Sequence, residues 1–122
     1  LADYEPRARL AVDMYAHRLK TAIAACLASL NGADALVFTD DIGAGCWQIR
    51  ELACSNYQWA GLELDAARNR AARPDEAALL SSPTSAVKIF SMPTDEEIVI
   101  AREGVRLMRA AEAGQPESDS DK

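Results

Sequence analysis

The 122-residue chain is 49% apolar and 26% charged, which suits a single folded domain. Its net charge is −6 and it contains no Arg-rich block. This composition argues against a nucleic-acid or anionic-membrane partner, because both require clustered positive charge. No apolar run approaches the ~20 residues that span a bilayer, so a transmembrane segment is not expected either.

The three cysteines, Cys26, Cys46 and Cys54, form no C-x-x-C pair. A sparse, odd set of this kind argues against a disulfide framework or a zinc site and is typical of a reducing compartment. The opening Leu1–Glu5 has neither the basic nor the apolar region of a signal peptide, and it lacks an initiator Met. We therefore expect a cytoplasmic protein whose chain is processed, trimmed or fragmentary.

The first predicted element is a long helix over residues 5–31. Apolar residues recur there at three- and four-residue steps and form one stripe: Val12, Tyr15, Leu19, Ile23, Cys26 and Leu30. Pro6 suits the first turn, and Asn31-Gly32 is a C-terminal stop. The only histidine, His17, falls on the polar side, so we expect a surface residue and not a general base.

The apolar run 35–39 predicts a buried parallel strand, and residues 40–45 predict a strand-to-helix loop. A second helix is expected over residues 46–60, closed by Gly61. Its predicted inner face consists of Ile49, Leu52, Ala53 and Trp59. Residues 62–65 could form a short extended piece, and residues 86–91 predict a second buried strand.

A third helix opens at Pro93. Thr94 is its predicted N-cap with Glu97 at N3, an arrangement in which each side chain satisfies the other's backbone N–H. Its predicted inner face consists of Ile98, Ala101, Val105 and Met108. Residues 114–122 are rich in Gly, Gln, Pro, Glu, Ser and Asp, and we expect a disordered tail there.

This order of elements predicts an α/β fold with a mainly parallel sheet flanked by helices. The expected organisation is one domain over residues 1–113 followed by the tail. Two strands make a thin sheet, because stable sheets usually have about four to six strands. The predicted domain therefore requires more chain than these 122 residues supply.

The candidate site lies beyond the carboxyl ends of the two strands, where open α/β sheets bind ligands. The Gly-containing loop 42–45 would let backbone N–H groups approach a phosphate, although spacing alone favours a tight turn without a ligand. Asp40 and Asp41 would repel a polyphosphate unless they hold Mg²⁺, and a solvated turn is the alternative. Glu96 and Glu97 either stabilise the third helix through its dipole or help to hold a metal.

A series of short motifs resembles the C-terminal part of the acetate kinase family and covers roughly residues 5–108. The motifs occur in the family's order: Ala-Leu-Val-Phe-Thr-x-x-Ile-Gly (35–43), Ile49-Arg50-Glu51, Gly61-Leu62-Glu63-Leu64-Asp65, Asn69-Arg70 and Pro93-Thr94-Asp95-Glu96-Glu97-Ile98. The resemblance implies a partial actin/hexokinase-like (ribonuclease H-like) C-terminal domain that works as a homodimer or with a missing N-terminal domain. It also implies transfer of phosphate between ATP and a short-chain carboxylate, giving an acyl phosphate, with Mg²⁺.

By this resemblance, the nucleotide-binding residues are those of the adenine-nucleotide loop: Asp41, Ile42, Gly43, Ala44 and Gly45. Glu96 takes the place of the family's metal-linked glutamate, and no catalytic residue maps onto the chain. The family loop usually reads Phe-Thr-x-Gly-Ile-Gly-Glu-Asn, so Asp41 replaces a glycine, and Ala44 and Gly45 replace a carboxylate and an amide.

Two hypotheses follow from these matches and departures. In the first, the chain is the C-terminal fragment of an acetate kinase-like enzyme and is active only with the missing region. In the second, it is a non-catalytic, degenerate remnant that acts at most as a dimerisation or nucleotide-binding module.

Overall fold

A computed structural model describes residues 5–113, except for the side chains of Glu96, Glu112 and Ala113. The predicted tail, 114–122, lies outside these residues. The helices are α1 (Pro6–Ser29), α2 (Asp40–Gly45), α3 (Trp47–Ala53), α4 (Ala66–Ala71) and α5 (Glu96–Ala113), with a 3₁₀ turn at Gln58–Ala60. The strands are β1 (Ala35–Phe38), β2 (Ala78–Leu79) and β3 (Lys88–Ser91).

The described strands form one three-stranded sheet in the order β1-β3-β2. β1 runs parallel to β3, whereas β2 runs antiparallel to it. The prediction of a mainly parallel sheet is therefore wrong, and the sheet is mixed. The cause is the short connection between β2 and β3, because a parallel pair needs a longer crossover connection. A strand of two residues also carries no alternating pattern that a sequence could reveal.

The two strands predicted to be buried differ in the structure. β3 is central, and the side chains of Ile89 and Ser91 are fully buried. β1 is an edge strand of the described sheet, and Val37 is 45% exposed. An edge strand with an apolar outer residue can pair with or pack against further chain.

The hydrophobic core lies between α1, the sheet and the segment that contains α3. Its centre consists of Ile23, Phe38, Ala53, Cys54, Tyr57, Leu62, Leu80, Val87 and Ile89. Leu19 and Leu27 of α1 pack against this cluster from one side. The predicted stripe of α1 is therefore only partly used, because Tyr15 and Leu30 remain exposed. The predicted C-terminal stop is confirmed by the positive φ angles of Asn31 and Gly32.

The second helix is shorter than predicted and ends at Ala53. A left-handed residue, Asn56 (φ 60°), interrupts the chain before the 3₁₀ turn. Ile49 and Ala53 are buried as expected, whereas Leu52 and Trp59 are exposed, so the prediction of an inner face was wrong for those two. For Trp59 the reason is the break, because helical periodicity was extended through Asn56 to a residue that lies outside α3.

The turn after the 3₁₀ segment requires the glycine found there. Gly61 has a φ of +76° and acts as the left-handed C-cap. A Cβ at this position would lie 2.9 Å from the Cβ of Ala86, closer than side-chain carbons approach one another. Gly61 therefore brings the start of the 62–65 segment against the segment that enters β3, where Val87 N–H donates to Gly61 O at 3.0 Å.

The last helix, α5, differs most from its predicted packing. Its cap is Asp95 and not Thr94, because the Asp95 carboxylate accepts the backbone N–H of Ile98 at 2.9 Å. Every residue from 97 to 111 is exposed, including the predicted inner face. That prediction is wrong for the chain as described, although the apolar residues do gather on one side of the helix.

Candidate functional site

The carboxyl ends of the two parallel strands meet at one edge of the sheet. Phe38 pairs with Ser91 in the ladder, and Met92 N–H donates to Phe38 O at 2.9 Å. The chain therefore leaves β1 toward α2 and leaves β3 toward α5 at neighbouring points. Topology alone brings the two predicted halves of the site together.

A cleft of about 360 Å³ lies between these halves. Three segments form its walls: α2, the stretch that follows α4, and the turn that opens α5. The lining residues are Asp40, Asp41, Ala44, Pro74, Pro93, Thr94, Asp95 and Glu97. The expectation that the segments after Phe38 and at Pro93 converge is confirmed.

The five predicted nucleotide-loop residues are divided between this cleft and its surroundings. Asp41 and Ala44 line the cleft, whereas Ile42 and Gly43 line a smaller cavity of about 200 Å³ beside β1. Gly45 is exposed and lines neither space. The side chain of the predicted metal residue, Glu96, lies outside the described atoms, and its neighbour Glu97 lines the cleft.

The predicted loop at 40–45 is a short helix. Asp40 begins α2 with a φ of +66°, a left-handed conformation that aspartate tolerates better than most residues. Its carboxylate Oδ1 accepts the backbone N–H of Asp41 at 2.8 Å. The Asp41 backbone N–H is therefore already bonded to the Asp40 carboxylate, which leaves it less available to a phosphate.

The cleft is strongly acidic. Four of its lining residues are carboxylates, Asp40, Asp41, Asp95 and Glu97, and none of the described lining residues is basic. Such a wall repels a polyphosphate unless a cation lies between them. Among the side chains that the structure describes, which do not include that of Glu96, no three His, Cys, Asp or Glu side chains are close enough to hold a metal ion by themselves.

A second, apolar groove lies behind α2. It has a volume of about 500 Å³ between the first half of α1 and the start of α3, and Tyr15, Ile42 and Ile49 are among its lining residues. The partial exposure of Tyr15 and Ile42 is explained by this groove. It adjoins the predicted nucleotide loop, because Ile42 is one of its lining residues, and it shares no lining residue with the acidic cleft.

The sequence pattern did not identify Arg50, a buried arginine beneath α2, as a residue of the site. Arg50 is only 1% exposed, and its guanidinium donates to the carbonyl oxygens of Gly43 at 2.8 Å and Ala44 at 2.6 Å. Burial lowers the pKa of the Arg50 guanidinium from its ordinary value. The available signal was its place in the motif Ile49-Arg50-Glu51, since apolar periodicity gives no indication of a buried charge.

His17, the only histidine, is exposed on α1, as predicted. Among the described helices, none combines the length and the apolar character required to cross a membrane.

Comparison with known proteins identifies the relatives of this arrangement. The sequence model described as the Acetokinase family matches residues 2–102. Acetate kinase 1 of Lactococcus lactis subsp. lactis is 46% identical over 101 residues, an alignment that covers 83% of this chain and 25% of that protein.

Solved structures give the same result. The acetate kinase of Porphyromonas gingivalis matches with a TM-score of 0.73 and 34% identity, covering 84% of this chain and 25% of that one. A propionate kinase of Francisella tularensis subsp. tularensis matches with a TM-score of 0.69 and 30% identity over the same shares. The chain spans about a quarter of the length of the curated relatives that it matches. By sequence and by structure, the chain belongs to the acetokinase family.

Proposed function

We propose that this chain is the C-terminal portion of an acetate kinase-like enzyme that transfers phosphate between ATP and a short-chain carboxylate. The observation that carries the proposal is the cleft at the carboxyl ends of β1 and β3, which is walled by α2 and by the turn that opens α5. These are the segments that the family resemblance assigns to nucleotide and metal binding. The relatives include acetate and propionate kinases, so the carboxylate is assigned only as a short-chain acid.

In this proposal Asp41–Gly45 forms the adenine-nucleotide side of the cleft, and Glu96 serves the metal. Mg²⁺ usually takes one or two protein carboxylates and completes its shell with phosphate oxygens and water. The acidic lining fits that chemistry, because Asp40, Asp41, Asp95 and Glu97 could supply the one or two carboxylates that the ion takes. When bound, Mg·ATP would supply the transferable phosphoryl group.

The remainder of an actin/hexokinase-like fold would complete the enzyme. The three-stranded sheet has an open edge at β1, and α5 exposes Ile100, Leu107 and Met108 to 72%, 56% and 65%. Apolar surface of this extent on one helix marks an interaction site. Phosphoryl transfer depends on positioned groups that stabilise charge on both sides of the phosphoryl, so the chain alone is expected to be inactive.

The second candidate is a non-catalytic remnant that retains the fold as a dimerisation or nucleotide-binding module. Two features favour it. Asp41 stands where the family has a glycine, and the Asp40 carboxylate already accepts the Asp41 backbone N–H. Both features add negative charge or remove a donor at the place where a nucleotide would bind.

Titration calorimetry of the purified chain with Mg·ATP separates the kinase proposal from a remnant that has lost the nucleotide site. The kinase proposal predicts one binding site per chain, with an affinity that falls about tenfold or more in Glu96→Ala because a charge-assisted metal contact is lost. Glu103→Ala is the matched control, since Glu103 is an exposed α5 glutamate paired with Arg106 away from the cleft.

The control should bind Mg·ATP as the wild type does. Absence of binding by the wild type, or equal losses in both variants, would support the remnant instead.

A further inference from the structure

We infer that Arg50 and Asn69 form a positioning pair that holds two walls of the cleft at a fixed distance, an inference that rests on the proposed function of the cleft. Neither residue lines the cleft, and both are buried, with exposed fractions of 1% and 0%. Arg50 lies on α3, between α2 and α4, and Asn69 lies on α4.

On one side, the pair holds α2. The Nη1 atom of Arg50 donates to the carbonyls of Gly43 and Ala44, which are among the last carbonyls of that helix. The carboxyl end of a helix carries partial negative charge, so the guanidinium is stabilised there without a carboxylate. Ala44 itself lines the cleft, and its backbone is therefore held from below.

On the other side, the pair holds α4. The Nε atom of Arg50 donates to Asn69 Oδ1 at 2.6 Å, and Nη2 donates to Asn69 O at 3.0 Å. Asn69 Nδ2 donates in turn to Trp47 O at 2.9 Å, which ties α4 to the start of α3. The segment after α4 reaches the cleft at Pro74.

The guanidinium is well suited to this position. Its donors lie in a rigid plane, so one side chain bonds two separate backbones in fixed geometry. Lysine would keep the charge but has no planar fork, and it cannot bond Asn69 and both α2 carbonyls in the same way. Arg50→Lys therefore isolates the positioning role from the charge.

Hydrogen exchange of the intact chain tests the inference without any ligand. In Arg50→Lys and in Asn69→Ala, the amides of α2, such as Cys46 N–H bonded to Ile42 O, should exchange about tenfold or more faster. Exchange in β3 should change much less, because neither Arg50 nor Asn69 bonds a residue of that strand. Arg70→Lys is the control, since Arg70 is an exposed neighbour of Asn69.

A second readout links the pair to the cleft: the affinity for Mg·ATP should fall in Arg50→Lys but not in Arg70→Lys, at a temperature where all variants are folded. Equal loss of protection in α2 and β3 would show a general stabilising role and overturn the inference. Wild-type protein that binds no Mg·ATP would contradict the proposed function, whereas the exchange measurement would still decide whether Arg50 and Asn69 fix α2.

Discussion

Ile89→Ala should destabilise the chain by about 2–5 kcal/mol, a large part of the ~5–15 kcal/mol that holds a typical domain folded. Ile89 is fully buried on the central strand, in the same cluster as Phe38, Leu62 and Leu80. Truncation removes apolar contacts and leaves a cavity, because neighbours on a paired strand cannot collapse to fill it. Chemical denaturation followed by circular dichroism measures the loss.

Val37→Ala provides the matched control for that experiment. Val37 lies next to the centre on β1 but is 45% exposed, so its truncation should change the free energy of unfolding by less than about 1 kcal/mol. Similar effects of the two substitutions would mean that β3 is not the centre of the sheet.

The second large effect concerns the nucleotide loop. The double substitution Asp41→Gly and Gly45→Asn restores two family residues and should raise the affinity for Mg·ATP about tenfold or more. Removal of the Asp41 carboxylate lowers repulsion of the phosphates, and an amide at position 45 adds a hydrogen-bonding group at an exposed site with nothing within 4 Å of its Cβ. Titration calorimetry is the measurement.

The same double variant should have about the stability of the wild type, because it adds one glycine to α2 at position 41 and removes another at position 45. The gain of affinity is thus expected without a large change in stability. Asp13→Gly is the control, because it removes one carboxylate from α1 at a residue that lines neither cleft nor groove. A gain of affinity in Asp13→Gly equal to that in the double variant would show that net charge alone is responsible.

The parts of the fold that follow local rules were predictable. The stop at Asn31-Gly32, the strand at 35–38 and the helix that opens near Pro93 all depend on residues close in sequence. Convergence of the two cleft segments also follows, because parallel neighbouring strands place their carboxyl ends at one edge.

The remainder depends on contacts that are distant in sequence. Residues 78–79 form a strand only because they pair with β3. Trp59 lies beyond the break at Asn56 and is exposed, although helical periodicity had assigned it to the inner face. The burial of Arg50 could not be predicted for the same reason, because it depends on hydrogen-bond partners that are not its neighbours in sequence. These partners are Asn69, 19 residues away, and the end of α2.

The exposure of α5 has a different cause. Its apolar residues are exposed and no described element covers them, and the portion matched here is only about a quarter of the relatives' length. The predicted inner face of α5 is therefore exposed in the part of the chain that the structure describes.

The most direct test of the account is to titrate the isotopically labelled chain with Mg·ATP and follow the backbone amide resonances. If α2 and the start of α5 are two walls of one nucleotide cleft, the amides of residues 41–45 and 94–97 should shift together with a single affinity, and those of β2 should not. Shifts confined to one of the two segments, or no shifts at saturating Mg·ATP, would contradict it.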